Sequence, residues 1–465
     1  MLKRISFLFI LTLIFAGPAI AGNGHFLHGI LPINSAMGGA GVGMPTGVMS
    51  ALWGNPALMT RLGYIRFETG TEFFKDDLST TSITAGGVSR TSKSDGEVGV
   101  LPGVGWIYHP EGKKFTFGWG LMAAAGFRTN WAPDPQNLML APQGPLGTGG
   151  FGLLNTELAM TKVTFAAAYD ATPKLTFGLA AVVFQGRLAI SPNPVVEPDI
   201  SGTLAAGTFF PVRPMVSGPV TQFGIGAQIG VYYEVSPMIS VGASFTTPQN
   251  FPRYEWNSVH GNPNNADFLT ARKVDIDIDG PPVISLGIGL QPTPKLKIAI
   301  DGRWIGYKKT NGIGQPPDDQ YKGTSYEGIG GGITPPDEAQ VGPAGPLPRY
   351  ALVSIGWRNI LIGMIGAEYK ATPIITVRAG VNFNQTPIQS AIALNSGGTP
   401  SVFTQHYTGG FSLALDEHFS IDGGFYYTPK NTVTGPFVPG QGTALPSISL
   451  TDGIVSGLIG FSTSF

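Results

Sequence analysis

Apolar and polar residues alternate with a period of two over long stretches of this chain. Ile239, Val241, Ala243 and Phe245 stand against Ser240, Gly242, Ser244 and Thr246. Ile375, Val377, Ala379, Val381 and Phe383 stand against Thr376, Arg378, Gly380, Asn382 and Asn384. From Leu296 onward, Leu296, Ile298, Ile300 and Trp304 share one face, while Lys297, Asp301 and Arg303 share the other. Successive side chains of a strand point to opposite faces, so this period predicts β-strands and not helices.

One turn recurs between these runs. Asp170-Ala171-Thr172-Pro173-Lys174-Leu175, Glu234-Val235-Ser236-Pro237-Met238-Ile239, Gln291-Pro292-Thr293-Pro294-Lys295-Leu296 and Lys370-Ala371-Thr372-Pro373-Ile374-Ile375 all place Thr or Ser before Pro. Proline fixes its own φ and pushes the preceding residue out of the helical region, so each copy marks a turn. His109 to Lys113 and Leu415 to His418 are variants of it. The segments beside these turns run about nine to twelve residues, the length of a tilted membrane strand and beyond the five or six typical of soluble sheets.

A first strand near Tyr64 to Lys75, a pair around each short turn and a last strand from Asp452 to Phe465 make about fourteen, an even number that closes an antiparallel barrel. The other connectors, Arg128 to Met160 and Lys308 to Ile360 among them, are long and rich in Gly, Pro and Asn. Short turns on one side and long loops on the other are the asymmetry of outer-membrane barrels. A β-sandwich array would instead bury the apolar faces against each other. Closure also leaves no sheet edge with unsatisfied backbone groups in lipid. At the chain end Val455, Ile459, Phe461, Thr463 and Phe465 share one face, and Ser456, Gly460, Ser462 and Ser464 the other. A final strand ending in Phe resembles the signal of outer-membrane barrels, which implies the barrel assembly machinery as a partner.

Composition agrees. Only 12% of the residues are Asp, Glu, Lys or Arg, about half the usual share, so the surface must be covered by something other than charge. Lys3 and Arg4 precede an apolar run from Ile5 to Phe15, a Gly17-Pro18 break and Ala19-Ile20-Ala21. This pattern predicts a signal peptide over residues 1–21, cleaved after Ala21, with Gly22 opening the mature chain. No later stretch holds the ~20 apolar residues of a membrane helix. The chain has no Cys, so disulfides do not hold the fold although an exported protein could form them. A pI of about 6.6 and the lack of a basic run give no argument for nucleic acid.

Between the predicted cleavage site and strand one, Gly22 to Arg61 is Gly- and Ala-rich and does not alternate. It includes Ser35-Ala36-Met37-Gly38-Gly39-Ala40-Gly41-Val42-Gly43 and Trp53-Gly54-Asn55-Pro56-Ala57-Leu58. It is too apolar for a solvated tail and is expected to plug the lumen of a barrel spanning residues 62–465. Here the chain resembles the FadL/TodX family of outer-membrane transporters for hydrophobic compounds. Its members begin with a Gly-rich hatch carrying Asn-Pro-Ala just ahead of strand one, where Asn55, Pro56 and Ala57 stand. The resemblance covers the layout of the whole mature chain and implies passive uptake. A hydrophobic ligand would be caught among outer loops, pass to a site beside the hatch and leave sideways through the wall. Long-chain fatty acids are the expected ligand and aromatic hydrocarbons the alternative, with no cofactor and a monomeric barrel among outer-membrane lipid and lipopolysaccharide.

Several residues are candidates for ligand contact. Leu138, Met139 and Leu140 with Phe151, Leu153 and Leu154, and Leu204 with Phe209, Phe210, Val212 and Met215, make two predicted outer loops unusually apolar. They read as a capture groove or as loops packed on each other. His25, Phe26, Leu27 and His28 would reach the pocket as the family's hatch does, or wedge in the lumen. For Asn55, Pro56 and Ala57 a role in shaping the hatch is preferred to direct binding. Lumen-facing Lys297, Arg303 and Arg378 would attract a carboxylate headgroup, although Asp301 is a ready local partner.

Catalysis and metal binding find little support. Asp275, Asp277, Asp279 and Gly280 imitate a calcium loop, but its twelfth position is Leu286 and not an acid. Alternation instead places the three carboxylates on one face near the outer rim. His-Glu-x-x-His, Walker A and Gly-x-Ser-x-Gly patterns are absent from the sequence. His109 and His418 fall at inner turns and His260 and His406 in outer loops. A hydrolase assembled across strands is the enzyme alternative, and an adhesin or a general porin the structural one. A plug and low charge argue against an open aqueous pore. Strand Lys114 to Met122 shows no kink to locate a side opening.

Overall fold

The alternating segments pair in sequence order in the computed structural model, which describes residues 22–143, 150–194, 199–201, 210–314, 341–342, 345–346, 355–437 and 445–465. The predicted signal peptide lies outside the described residues. The strands are β1 (Ile65–Asp76), β2 (Gly99–Tyr108), β3 (Phe115–Trp131), β4 (Leu154–Asp170), β5 (Leu175–Ser191), β6 (Val220–Ser236) and β7 (Ile239–Thr246). They continue with β8 (Val283–Thr293), β9 (Leu296–Ile305), β10 (Ile360–Lys370), β11 (Ile375–Asn384), β12 (Gln405–Ala414), β13 (Phe419–Pro436) and β14 (Ser447–Ser464). Each is antiparallel to the next, and β1 pairs both with β2 and with β14, from Arg66 opposite Ser464 to Asp76 opposite Ile454. The sheet therefore closes into a fourteen-stranded barrel.

The sign of the alternation is settled by exposure. Phe165, Leu179, Ile225, Leu286, Leu361, Phe425, Val455 and Ile459 are exposed on the outer wall, while Glu68, Glu72, Lys162, Asp301 and Arg303 are buried inside it. A water-soluble fold would reverse this, whereas lipid rewards it. Among the described residues no helix is long and apolar enough to cross a membrane.

The short turns owe their recurrence to a hydroxyl. The Thr172 Oγ1 accepts the N–H groups of Lys174 and Leu175 at 3.2 and 3.0 Å, Thr293 those of Lys295 and Leu296, and Thr372 those of Ile374 and Ile375. A side-chain acceptor thus replaces the backbone partner that a tight turn leaves out.

Two expectations change. The strands reach 17 and 18 residues on β3 to β6, β13 and β14, so the two ends of Arg128 to Met160, up to Trp131 and from Leu154, are strand and not loop, and the last strand begins at Ser447. Pairing continues above the apolar belt because outward hydroxyls replace outward apolar groups there, as Thr434 and Ser449 do at 2.7 Å. His406 is not in an outer loop but is the second residue of β12, turned inward and stacked on His28 at 4.9 Å.

Residues 22–62 form two short helices, α1 (Leu31–Ala36) and α2 (Val48–Gly54), and a 3-10 turn, Pro56–Arg61. Too short to stand alone, these elements are held by inward side chains around the ring. The Glu68 carboxylate accepts Met49 N–H, Ser240 donates to Gly43 O, Asn382 to Gly38 O and Thr408 to Ala36 O. Close approach needs glycine on the wall, since a Cβ at Gly242 would lie 2.0 Å from Val42 O.

Candidate functional site

A cavity of about 440 Å³, counting the part open to solvent, lies between the N-terminal segment and strands β4 to β9. Phe26, Trp53 and Phe184 form its aromatic side, with ring centroids 6.0 Å apart for Phe26 and Trp53 and 6.4 Å for Phe26 and Phe184. Val283 and Ile305 extend the apolar lining, and Lys162, Gln228, Gln249, Ser285 and Arg303 supply polar groups.

Phe26 is placed by the wall. β3 shifts register between Ala123 and Ala125, and β2 pairs with β3 only as far as Gly103 opposite Met122. Beyond that point the N-terminal segment takes the vacated edge, with Leu27 N–H donating to Ala124 O at 3.0 Å and Gly126 N–H to His25 O at 2.7 Å. The kink that Lys114 to Met122 lacks thus comes one residue later, as a bulge. His25 is fixed from the other side by Tyr307, whose hydroxyl lies 2.9 Å from Nδ1 and accepts the His25 N–H at 3.1 Å. Burial pushes the His25 imidazole down to about 3 and His28 to about 4, so both are neutral at pH 7.

Two basic side chains face the cavity. Lys162 Nζ donates to Leu52 O and Gln228 Oε1, each at 3.1 Å, and lies 5.2 Å from the Trp53 ring. Arg303 Nε donates to Ser285 at 3.3 Å. Among the described residues neither cation has a carboxylate within 4.0 Å. Asp301, the local partner expected for Arg303, makes no ion pair with it within 4.0 Å and gives its Oδ2 to the N–H groups of Gly41 and Val42.

Of the predicted ligand residues, Phe26 lines the cavity. His25 and Leu27 are buried beside it and anchor the segment through their backbones. Arg378 stands near the opposite end of the lumen, paired with Glu368 at 2.8 Å and donating to Ser412 at 2.7 Å, and Lys297 lies 3.5 Å from Glu368. An ion pair of this kind holds its guanidinium away from any ligand in the cavity. Leu140, Met139, Phe151 and Leu154 are buried, Leu138 is half-buried and Leu153 is exposed, so most of the described apolar residues of this loop pack inward. Phe209 lies outside the described residues, and Phe210 pairs through its backbone with Ser201.

Asn55 donates to Val42 O at 2.9 Å and Val231 O at 3.0 Å while its Oδ1 caps the 3-10 turn at Ala57 N–H. It joins two parts of the N-terminal segment to β6, with Pro56 opening the turn and Ala57 fully buried. Asp275 and Asp277 share Arg253 at 2.6 and 3.3 Å, and Asp279 accepts the Phe251 N–H, so each of the three carboxylates already has a protein partner. Lys162 was not singled out by alternation, though its place inside Leu158, Met160, Lys162 and Thr164 is an inward one. The lone cation in that row was the available signal.

A closed fourteen-stranded barrel with an apolar exterior defines the class as an outer-membrane barrel of Gram-negative bacteria. Residues 32–436 match the model of the outer membrane protein transport protein family (OMPP1/FadL/TodX), and the chain belongs to that family. It is a family of transport channels for hydrophobic compounds rather than of enzymes. No curated protein sequence matches. The fold is similar to the Ralstonia pickettii toluene transporter TbuX, at 20% identity over 94% of this chain and 99% of that one, with a TM-score of 0.62. It is also similar to the Pseudomonas putida toluene transporter TodX (17% identity, 95% and 100% covered, TM-score 0.65) and to a Pseudomonas aeruginosa FadL homologue (13%, 95% and 99%, 0.64).

Proposed function

We propose that this channel carries long-chain fatty acids, with the carboxylate held between Lys162 and Arg303 and the chain against Phe26, Trp53 and Phe184. The observation that carries this reading is the pair of buried basic side chains facing one aromatic cavity with no carboxylate within 4.0 Å among the described residues. A hydrocarbon such as toluene would leave the buried Arg303 guanidinium without an anion in contact and Lys162 with neutral partners alone, whereas a carboxylate would compensate the first and hold the second in its charged form. The segment over residues 22–61 acts in this proposal as a plug that denies water a continuous path. The ligand leaves sideways where β3 parts from β2 above Met122.

Calorimetric titration of the folded barrel with oleate and then toluene tests it. Saturable oleate binding is expected, weakened about tenfold to a hundredfold by Arg303→Gln, the effect of removing a hydrogen bond to a charged group. Toluene binding that is indifferent to Arg303→Gln and Lys162→Gln, with no oleate binding, would move the protein to the aromatic-hydrocarbon branch. That reading has its own support in the three aromatic rings of the cavity.

A further inference from the structure

The outer face of β13, β14 and β1 changes character in three rows. Phe425, Tyr427, Val455 and Ile459 are exposed and apolar, with Tyr427 and Lys75 flanking Val455 in register. The next row holds Asp77 and Lys430, and Lys93 arrives from the hairpin Ser79–Ile83/Ser89–Lys93 that pairs with the upper part of β14. Above it the outward groups are hydroxyls, in pairs Thr432 with Thr451 at 2.8 Å, Thr434 with Ser449 at 2.7 Å and Thr81 with Thr91 at 2.7 Å. The apolar belt therefore ends at the lysines, the level of the lipid headgroups.

Lys430 owes its position to local structure. β13 carries an extra residue between Thr428 and Asn431, and such a bulge re-aims a side chain. The Lys430 stem crosses Gly453, where a Cβ would stand 2.9 Å from its Cγ. Asp77 N–H donates to Gly453 O at 2.9 Å, and its carboxylate then meets Lys430 at 2.5 Å and Lys93 at 3.1 Å. Lys93 and Lys430 remain 72% and 54% exposed. Lys75, two residues before Asp77 on the same outward face, has no carboxylate within 4.0 Å among the described residues. Asp76 and Asp452 are buried on the inner face. On the outward face the three ammonium groups thus have one carboxylate between them, that of Asp77, within 4.0 Å among the described residues.

We propose that this patch binds the diphosphorylated glucosamine headgroup of lipid A in the outer leaflet. Its phosphates meet Lys75, Lys93 and Lys430, its sugar hydroxyls meet the Thr and Ser pairs above, and its acyl chains lie along Val455, Ile459 and Phe425 below. Charge complementarity selects a phosphorylated lipid, and the hydroxyl ladder selects a sugar headgroup over a glycerol one. Asp77 gathers two of the lysines without cancelling the third.

Native mass spectrometry of the folded barrel in detergent, with diphosphoryl lipid A or phosphatidylglycerol added, tests the site. Lipid A adducts are expected to persist and to weaken as salt is raised. The triple variant Lys75→Gln/Lys93→Gln/Lys430→Gln should lower their occupancy at least tenfold, while Arg187→Gln, which stands beside Glu157 elsewhere on the outer wall, should not. Asp77→Asn removes the negative charge from the patch without removing a lysine and should raise occupancy, which keeps the test available if the triple variant fails to fold. Wild-type occupancy in the folded triple variant, unchanged or lower occupancy in Asp77→Asn, or equal retention of phosphatidylglycerol would overturn the proposal.

Discussion

Asp301 on β9 accepts two successive backbone N–H groups, from Gly41 at 2.6 Å and Val42 at 2.8 Å. This one carboxylate fastens the glycine-rich run to the wall, while Arg303 faces the cavity and donates to Ser285. Asp301→Ala should strand two buried donors at a cost of about 1–3 kcal/mol. The expected result is a loosened N-terminal segment, read as raised conductance in planar bilayers and faster proteolysis near Gly41.

Histidines give the same segment a pH dependence. Burial lowers His25 to about 3 and His28 to about 4 from an ordinary 6.5. Because the folded values are depressed, the stability from keeping these rings neutral is fully present above 6.5 and is lost as pH falls toward 4 and then 3. Protease sensitivity of residues 22–61 should therefore rise on acidification across that window. A flat profile between pH 7 and pH 4 would contradict the assigned burial.

Two glycines on neighbouring faces separate lumen from lipid. Gly242→Ala places a methyl 2.0 Å from Val42 O, so the N-terminal segment must shift, whereas a Cβ at Gly302 meets nothing within 4 Å. We expect Gly242→Ala to raise conductance and Gly302→Ala to behave as wild type in the same bilayer recording.

Depth in the membrane should show on β10. Ile365 and Leu361 both point outward, at 49% and 60% exposure, with Leu361 one turn of the pleat below the outer rim and Ile365 nearer the middle. Ile365→Lys should cost about 2–4 kcal/mol and Leu361→Lys about 0–1 kcal/mol, the trend for cations on a lipid-facing wall. Denaturant unfolding into lipid vesicles measures both, and the reverse order would refute the assigned depth.

What was legible in the sequence is what depends on neighbours along the chain. The period of two at Ile375 to Asn384 identified strands and their faces, because side chains alternate whatever the partner strand is. Thr172, Thr293 and Thr372 marked turns, because each hydroxyl bonds N–H groups two and three residues ahead. Even the role of Asn55 was close to readable, since its cap on Ala57 is local.

The site was decided elsewhere. Arg303 and Arg378 look alike in alternation, yet one faces the cavity and the other meets Glu368, because strand register sets the neighbours across the sheet. Asp301 stands two residues from Arg303 but serves Gly41 and Val42, which lie some 260 positions away in the chain. The bulge at Ala123 leaves no mark in composition, and it opens the edge that seats His25 to Leu27. Sequence by itself determined the barrel, its inside and its outside, because these follow from local pattern and from lipid as the solvent. Only the tertiary structure decided which inward charges meet one another and which face the cavity, because that depends on distances between strands far apart in sequence.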